Sequence, residues 1–452
     1  MKTIFIPIYQ GHQARNVFRT KIFKLLKENN FKIVIFCKKI KEEPYKKEFG
    51  SSQVEIIGVD FPKLHGLNKI MYNVSTMMVN TYTVKMRQLR MIKEDKNVVK
   101  YMYRRFLSIV LGNFKITKDI FRYFENKNVY REIVKYFNEY KPNLLFSPNV
   151  VGIFDTEFIK AAKKTKTKSV ALVNSWDNLS SRGIIRAVPD KLLVHNENVK
   201  MDALKFSGVS KNKIEVVGLP HFDFYVTDKR SSKDEFYNRV GIPMDKEIIL
   251  FCPAGVNYTD ADWTVLDQLQ EAVANNELDF KAHILVRQPP NSFMNKGDLE
   301  LNEHVTIDKV CFHFDSNDRN DWEWTDLNMK HLADSVYYSK MLVGYASTIT
   351  LDAIVFDTPV INIAYEGKVN KPEIDTYRWF YYNTNHYKTF LKHGAIKLAY
   401  NKQELIKYIN QYYHHPEQDR ENRLNLLKEQ TWKLDGNSAM RLVNQITKQI
   451  YG

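Results

Sequence analysis

The sequence has few cysteines and no long apolar run. Its three cysteines, Cys37, Cys252 and Cys311, are spaced too widely for a paired metal site or a disulfide framework. We therefore expect reduced thiols, typical of a cytosolic protein. Met1 to Tyr9 lacks the basic and apolar regions of a signal peptide. The longest candidate for burial in a membrane, Phe106 to Leu111, is far shorter than the ~20 apolar residues of a spanning helix, so we expect a cytoplasmic protein that does not cross a bilayer.

Disorder is excluded by the composition, which has 44% hydrophobic and 26% charged residues. The formal net charge is +15, and it is unevenly distributed. Lys85 to Lys141 holds 15 Lys or Arg against 6 Asp or Glu, an excess of +9. This excess predicts an anionic partner: lipid headgroups, a phosphorylated acceptor or nucleic acid.

The length of 452 residues exceeds what one hydrophobic core usually supports, about 250–300 residues, so two domains are expected. Apolar strand runs alternate with amphipathic helices in both halves, which is typical of parallel sheets with crossover helices. We predict an α/β fold with two Rossmann-like domains, residues 1–226 and 236–452, joined by a polar linker at Thr227 to Glu235. The last helix could cross back to the first domain.

Leu67 to Tyr140 shows helical periodicity instead of strand patterns. We predict a helical insertion at about residues 65–141 of the first domain. Its apolar residues are expected to be buried on one side: Met71, Met77, Met78, Phe106, Ile109, Phe121 and Phe137. The basic face opposite is either a solvated cover of the sheet or a surface that binds an anionic membrane.

The most informative segment is Leu342 to Asn362. A strand is followed by Ser347, Thr348 and Thr350, whose hydroxyls and backbone N–H groups at a helix start could bind a diphosphate. Asp352, in the same helix, could accept hydrogen bonds from ribose hydroxyls. An ordinary capped helix between two strands is the alternative.

This segment resembles the donor-nucleotide site of the glycosyltransferase-B superfamily, where Leu351-Asp352-Ala353 stands in place of Leu-Glu-Ala. Four further stretches resemble, in the same order, motifs of one branch, the CDP-glycerol glycerophosphotransferase-like and capsule glycosyltransferases. They are Val217-Gly-Leu-Pro-His-Phe-Asp223, Leu250-Phe-Cys-Pro-Ala-Gly255, Ile284-Leu-Val-Arg-Gln-Pro289 and Asp435-Gly-Asn-Ser-Ala-Met-Arg441. The resembling stretches span about residues 170–445.

The resemblance implies two domains that face each other across a cleft, and a nucleotide-activated sugar as donor. It also implies a set of donor-binding residues: Arg287, Tyr345, Ser347, Thr348, Asp352, Gly218, Pro220 and His221. For Arg287, a salt bridge between the domains is the alternative. We expect the enzyme to act in surface polysaccharide biosynthesis, on a glycan or lipid-linked acceptor at the inner face of the cell membrane.

The chain departs from the branch at its Thr-Trp-His-Gly motif, which is here Ser175-Trp176-Asp177-Asn178. His221 replaces the branch's Arg, and the usual Trp-Arg after Pro-Thr is missing after Pro253. These departures favour transfer of a sugar over transfer of a polyol phosphate.

Asp177 is predicted to accept the proton of the acceptor hydroxyl in an inverting displacement. The alternative is that Asp177 caps the turn that follows it. His12, after the first strand, is the rival base. The acceptor is expected to contact residues around these two: Gly11, Arg15, Trp176 and Arg182.

We expect catalysis without a metal or other cofactor, because no Asp-x-Asp element suited to a metal-diphosphate site was identified; Arg287 and backbone dipoles would supply positive charge instead. The acidic stretch Asp315 to Trp324 is expected to be a solvated loop and not a calcium site. Three alternative functions remain: a nucleotide-sugar epimerase, a CDP-polyol phosphotransferase and a basic nucleic-acid binder. The aromatics of Lys85 to Lys141 have helical spacing that fits a core, so we expect no nucleic-acid partner.

Overall fold

A computed structural model of the chain describes residues 1–60, 64, 66–95, 97–292, 294, 300–308, 310–315, 318, 320–366, 373 and 376–452. The chain forms two compact units. The first unit comprises Met1–Thr227 and Thr431–Gly452, and the second comprises Asp228–Gln430. Each unit contains a parallel sheet with helices packed on it, so the predicted α/β fold with two Rossmann-like domains is confirmed.

The first unit is built on seven parallel strands. They are β1 (Thr3–Pro7), β2 (Lys32–Cys37), β3 (Val54–Gly58), β4 (Leu144–Ser147), β5 (Lys168–Leu172), β6 (Lys191–Val194) and β7 (Ile214–Val216). Their order in the sheet is β3-β2-β1-β4-β5-β6-β7. The central strands are apolar along their whole length because helices cover both faces of a parallel sheet.

Twelve α-helices lie before residue 228 in the described part of the first unit. They are α1 (Gly11–Phe18), α2 (Lys21–Glu28), α3 (Lys39–Phe49), α4 (Gly66–Met77), α5 (Tyr82–Asp95), α6 (Val98–Gly112), α7 (Lys115–Lys127), α8 (Arg131–Tyr140), α9 (Ile153–Lys164), α10 (Asn178–Ser181), α11 (Glu197–Lys205) and α12 (Asp223–Thr227). Residues 11–16, which follow β1 closely, belong to helix α1. Gln13 stabilises the start of α1, because its Oε1 accepts the N–H groups of Tyr9 and Gln10, both at 2.8 Å.

Helices α4 to α8 confirm the predicted helical insertion. The burial predicted for it is only partly correct. Met78, Phe121 and Phe137 are buried, and the two other methionines are half-buried. Phe106 and Ile109 are instead 62% and 43% exposed, so their predicted burial is wrong. Helical periodicity identifies an apolar stripe but does not say which side of the helix faces the protein.

The second unit has eight strands among its described residues. They are β8 (Glu247–Cys252), β9 (Ala282–Arg287), β10 (Val305–Asp308), β11 (Phe312–His313), β12 (Trp322–Glu323), β13 (Ser339–Gly344), β14 (Val360–Ile363) and β15 (Ile396–Ala399). Six form a parallel sheet in the order β10-β9-β8-β13-β14-β15, and β11 pairs with β12. The sequence patterns did not indicate β10, β11, β12 or β15, which have two to four residues each.

Helices of the second unit connect these strands. They are α13 (Lys233–Val240), α14 (Asp262–Ala274), α15 (Asp326–Tyr337), α16 (Ile349–Val355), α17 (Tyr377–Tyr381), α18 (Asn385–Leu391), α19 (Lys402–His414) and α20 (Arg420–Thr431). Helix α13 begins inside the stretch predicted as a polar linker. Its start is fixed by a capping box, in which the Ser232 and Glu235 side chains each accept the other residue's N–H.

The C-terminal helix, α21 (Ser438–Tyr451), belongs to the first unit. The Asp223 carboxylate accepts the backbone N–H groups of Ser438 and Ala439, at 3.0 and 2.8 Å. Gly218 has φ +90°, and a Cβ there would lie 2.5 Å from the Ser438 Oγ. Arg441 donates to the Val217 carbonyl at 3.0 Å. Two stretches singled out from the sequence, 217–223 and 435–441, therefore dock this helix onto the unit.

We predict that Asp223→Ala destabilises the protein. The substitution leaves the first N–H groups of α21 buried without an acceptor, which should lower the free energy of unfolding by about 1–3 kcal/mol. Urea denaturation followed by circular dichroism measures the change. Asp60→Ala is the control, since Asp60 forms only an exposed surface pair with Lys39. Equal denaturation midpoints for the two variants would contradict the capping role.

Candidate active site

Polar side chains gather at the carboxyl edge of the first sheet. His12 follows β1, Asp177 follows β5, His195 follows β6 and His221 follows β7. Neighbouring parallel strands end at the same edge, which is where open α/β sheets bind ligands. One hydrogen bond joins two segments at this edge: the Asn16 side chain of α1 donates to the Asn174 side chain, which follows β5, at 2.9 Å.

Asp177 precedes α10 but does not cap it. Its carboxylate accepts hydrogen bonds from the Ser175 Oγ at 2.6 Å and from the Ser181 Oγ at 3.2 Å, and makes no side-chain cap hydrogen bond to the helix backbone. The alternative in which Asp177 caps the turn is therefore wrong. The residue is half-buried, so two hydroxyls orient its carboxylate while part of it stays accessible.

The segment after Asp177 forms helix α10, which packs on the helical insertion. The Thr81 Oγ1 donates to the Ser180 carbonyl at 2.7 Å, and the Ile184 N–H donates to the Ser75 carbonyl at 3.2 Å. Gly183 packs against the same turn of α4 with φ +117°, where a Cβ would lie 2.9 Å from the Ser75 carbonyl oxygen.

His12 lies among positive charges. Burial lowers its pKa to about 3, with further lowering by Arg15, Arg182 and Lys41, while Asp177 acts in the opposite direction. The imidazole is therefore neutral at physiological pH. The structure thus brings together four residues singled out from the sequence, His12, Arg15, Asp177 and Arg182, and adds Lys41 to them.

Two further histidines lie at this edge. The rings of His195 and His221 are 6.4 Å apart, and burial, followed by Arg15 and His195, lowers the pKa of His221 well below its usual value. His195 is 2% exposed, and its Nε2 has no hydrogen-bond partner among the described residues. Sequence reasoning missed His195, although its position directly after β6 could have identified it. It missed Lys41 because the charged helix α3 was not predicted.

The remaining first-unit candidates fall in two places. Gly11 is the buried first residue of α1, and Trp176 is half-buried beside Asp177. Three residues expected to bind the donor nucleotide, Gly218, Pro220 and His221, lie in the first unit and not with Arg287 in the second.

Arg287 ends β9 in the second unit, and the strand register pairs it with Asp308 of β10. Its Nη1 donates to the Asp308 Oδ2 at 2.7 Å, with both side chains at most 6% exposed. Because Asp308 belongs to the same unit, the alternative of a salt bridge between domains is wrong. The Arg287 Nη2 makes no hydrogen bond to any described residue.

Two further residues, His331 and Arg239, form a chain of hydrogen bonds that ends at Asp308. The His331 Nδ1 accepts from the Arg239 Nε at 3.1 Å, so its Nε2 carries the proton that it donates to Asp308 at 2.7 Å. Burial by itself raises the pKa of Asp308, but the His331 hydrogen bond and the Arg287 charge outweigh burial and hold it below its usual value. Asp308 is therefore a carboxylate that fixes the direction of Arg287.

The predicted donor segment after β13 has two exposed hydroxyls. Ser347 and Thr348 are exposed, and the Thr348 side chain does not cap α16. Asp352 lies in the first turn of α16 and is 9% exposed. Thr350, in contrast, is buried, and its hydroxyl lies 3.5 Å from that of Tyr387. The expectation that Thr350 binds a ligand is therefore wrong.

Tyr345 and Cys252 lie beneath this segment. Tyr345 is 1% exposed and packs edge-on against Tyr377, with ring centroids 4.8 Å apart. Burial raises the pKa of the Cys252 thiol to about 12, and its charged neighbours include Arg287 and Asp352. Arg287 and Asp352 are thus gathered around the carboxyl end of β8.

The acidic segments of the second unit have structural roles. Asp-x-Asp spacing does occur at Asp260-Ala-Asp262, but the buried Asp262 carboxylate accepts the backbone N–H groups of Ala254 and Gly255, at 3.1 and 2.7 Å. The stretch 315–324 is not simply a solvated loop, since its end, 321–324, is buried. Within the described ranges, no three or more His, Cys, Asp or Glu side chains are grouped to bind a metal ion.

Residues 154–448 match the family model described as CDP-Glycerol:Poly(glycerophosphate) glycerophosphotransferase. No curated protein sequence matches the chain significantly. These 295 residues include the stretches on which the sequence resemblance rests.

Solved structures with the same fold share little sequence with the chain. A glycosyltransferase from Rickettsia africae is 12% identical, with a TM-score of 0.52 over 99% of this chain and 98% of its own. UDP-GlcNAc 2-epimerase from Neisseria meningitidis bound to UDP-GlcNAc is 12% identical, with a TM-score of 0.56 over 99% and 100%. The wall teichoic acid polymerase TagF is 12% identical, with a TM-score of 0.51 over 99% and 89%. At these identities the likeness shows the fold alone.

We predict that Asp308→Asn destabilises the protein strongly. It leaves the buried Arg287 charge uncompensated, which typically costs about 3–5 kcal/mol. The free energy of unfolding from urea denaturation measures the loss. Asp245→Asn is the matched control, because the Asp245–Lys281 pair is exposed, and its stability should equal that of the wild type. A wild-type midpoint for Asp308→Asn would show that the ion pair does not stabilise the fold.

Proposed function

Since the chain belongs to the CDP-glycerol:poly(glycerophosphate) glycerophosphotransferase family, whose chemistry is group transfer, we propose that it transfers a sugar from a nucleotide-activated donor to a hydroxyl group of a surface glycan or lipid-linked acceptor. The observation that carries this proposal is the Asp177 carboxylate, which is oriented by Ser175 and Ser181 and half-exposed at the carboxyl edge of the first sheet.

The second unit is proposed to bind the donor. The fixed Arg287 guanidinium has a free Nη2 that suits a phosphate oxygen. Ser347 and Thr348 are exposed, and the Thr348 side chain does not cap α16. We assign the ribose hydroxyls to Asp352, in the first turn of the same helix. Nucleotide-activated donors are consistent with the solved neighbour that contains UDP-GlcNAc.

The first unit is proposed to activate the acceptor. Asp177 takes the proton of the acceptor hydroxyl as that oxygen bonds to the anomeric carbon of the donor sugar. The bond from this carbon to the diphosphate oxygen breaks, and the nucleoside diphosphate leaves with the electron pair. His12 is less suited as base, because a group with a pKa of about 3 has little affinity for the proton at neutral pH.

Polyol-phosphate transfer from a CDP-polyol is the second candidate. The family description favours it. So does the positive charge around His12, where Arg15 and Arg182 suit a phosphate-bearing acceptor. The departure at Asp177, where the branch has His, favours sugar transfer, so the identity of the donor nucleotide decides between the two.

Attachment to the inner face of the cell membrane is part of the proposal. The helical insertion carries the largest excess of positive charge in the chain, and each basic residue near an anionic bilayer contributes about 1 kcal/mol of attraction. No helix of the described residues is long and apolar enough to cross a membrane.

We predict selective binding of one nucleoside diphosphate. In a thermal-shift screen of CDP, UDP, GDP and CMP, the nucleotides with one particular base should stabilise the wild type more than the others. Arg287→Ala should weaken the binding of that nucleotide by about 1.5–3 kcal/mol, typical of a charge-assisted contact. Arg287→Lys tests the guanidinium fork, and Arg420→Ala, which removes an exposed arginine of the same unit, is the control. Equal affinities in all variants would remove Arg287 from the donor site.

We predict that Asp177→Asn separates binding from turnover. Nucleotide affinity should equal that of the wild type, while turnover should fall by about 10²–10⁴-fold, as expected for loss of a general base. Turnover is measured with the donor that the screen identifies, using a CDP-polyol if only cytidine nucleotides bind. Near-normal turnover would exclude Asp177 as the base and make His12→Ala the next variant.

A further inference from the structure

The Arg287 guanidinium is held in place by neighbours that leave one of its donors unused. Its Nη1 donates to the Asp308 Oδ2 at 2.7 Å, and its central carbon lies 5.8 Å from the centre of the Trp324 ring. The Nη2 makes no hydrogen bond to any described residue. A buried donor without an acceptor is unfavourable, so the neighbours of this guanidinium must impose its orientation.

The orientation of Asp308 depends in turn on His331 of α15. The Asp308 Oδ2 accepts from Arg287, and its Oδ1 accepts from the His331 Nε2 at 2.7 Å. The imidazole carries its proton on Nε2 because its Nδ1 accepts from the Arg239 Nε at 3.1 Å. His331 is 7% exposed, so water has little access to its ring nitrogens. Arg239, His331 and Asp308 thus form a relay of hydrogen bonds that ends at Arg287.

Arg239 also binds Ser231, near the point where the chain enters the second unit at Asp228. Its Nη1 donates to the Ser231 Oγ at 3.3 Å, and its Nη2 donates to the Asp334 Oδ2 at 2.6 Å. The Asp334 Oδ1 accepts the Ser231 N–H at 3.2 Å, and the Tyr338 hydroxyl donates to the Ser231 carbonyl. Ser231 is 4% exposed, so these bonds anchor the start of the unit.

The charges along this arrangement cancel. Arg287 is paired with Asp308. Arg239 is paired with Asp334, and His331, whose Nδ1 is an acceptor, is neutral. A phosphate bound at Nη2 would therefore gain little from excess positive charge and would depend on the direction of the N–H group. Because a hydrogen bond weakens steeply when its angle falls below about 120°, rotation of the guanidinium would weaken the contact.

We propose that Arg239 and His331 are positioning residues of the proposed donor site. They orient Asp308, and through it they direct the Arg287 Nη2 toward a phosphate oxygen of the nucleotide without touching the nucleotide themselves. Since Arg239 also holds Ser231, phosphate binding and the anchoring of residues 228–232 stabilise each other. This proposal rests on the proposed assignment of Arg287 to the donor phosphates.

A double-mutant cycle tests the positioning role. The probes are inorganic pyrophosphate and whichever of CDP, UDP and GDP stabilises the wild type most, and calorimetry measures their affinity. His331→Leu should weaken binding by about 5-fold or more, as expected for residues coupled in one hydrogen-bond network. In an Arg287→Ala background the same substitution should have no effect, because it acts through Arg287.

Three further variants separate positioning from loss of stability. His331→Gln keeps a side-chain N–H that can donate to Asp308, so it should restore most of the affinity. Met329→Ala removes a buried apolar side chain from the same helix, so it should lower the denaturation midpoint and keep the wild-type affinity. Arg239→Met interrupts the relay at a side chain that is 39% exposed, and it should weaken binding as His331→Leu does. It replaces His331→Leu in the cycle if that variant does not fold.

Hydrogen exchange tests the link to Ser231. Nucleoside diphosphate should slow amide exchange of residues 228–232 in the wild type, because binding stabilises the anchored form. The same addition should not slow it in His331→Leu at a concentration that saturates the variant. Exchange at 228–232 that does not respond to the ligand in the wild type would refute the coupling.

The positioning role is overturned if His331→Leu binds as the wild type does, or if it weakens binding equally in the Arg287→Ala background. A loss of affinity in Met329→Ala as large as in His331→Leu would assign the relay to stability alone. Nucleotide binding that needs Arg287 but not His331 would leave the proposed function intact. A wild type that binds pyrophosphate through Arg287 and the relay, but no nucleotide, would refute the proposed donor and retain the positioning role.

Discussion

The hydrogen bonds between the helical insertion and the segment after Asp177 are the interactions on which most of the first unit depends. Thr81, which precedes α5, and Ser75 of α4 bind the backbone of Ser180 and Ile184, and Arg122 of α7 binds the carbonyl of Ile185. Segment 182–190 has no regular helix or strand to satisfy its backbone, so side chains of the insertion must do so. For this reason the inner face of α7 carries Arg122 and Glu125 beside the buried Phe121.

This constraint links the outer surface of the insertion to the position of Asp177. Glu125, at the centre of the buried contacts, accepts from Lys160 of α9 as well as from Arg186. A change in the position of α7 would therefore be transmitted to the segment that holds Asp177 and Arg182. The same helices that present an apolar surface to the exterior thus set the geometry of the candidate acceptor site.

Local patterns in the sequence were sufficient to predict the fold, but they did not predict which residues the charged side chains pair with. Apolar runs located the central strands because such strands are buried on both faces. The pairing of Arg287 with Asp308 depends on the register between β9 and β10, and the support from His331 comes from a helix that follows in the chain. The burial of Phe106 was predicted wrongly because periodicity does not show that α6 turns Ser108 and Gly112 toward Gln88 and residues 78–80.

The stretches that resemble the family divide into structural and chemical parts. Three of these residues dock α21 on the first unit. Gly218 allows close packing against Ser438, Asp223 caps the helix, and Arg441 binds the Val217 carbonyl. Arg287 pairs with Asp308 and lies over the Trp324 ring, but its Nη2 makes no hydrogen bond to any described residue, and the Thr348 side chain leaves α16 uncapped. A buried guanidinium with an unused donor is unfavourable unless a ligand accepts that hydrogen bond. The likeness around 217–223 and 435–441 therefore concerns the architecture of the first unit, whereas the likeness in the second unit includes the residues that we propose for the donor site.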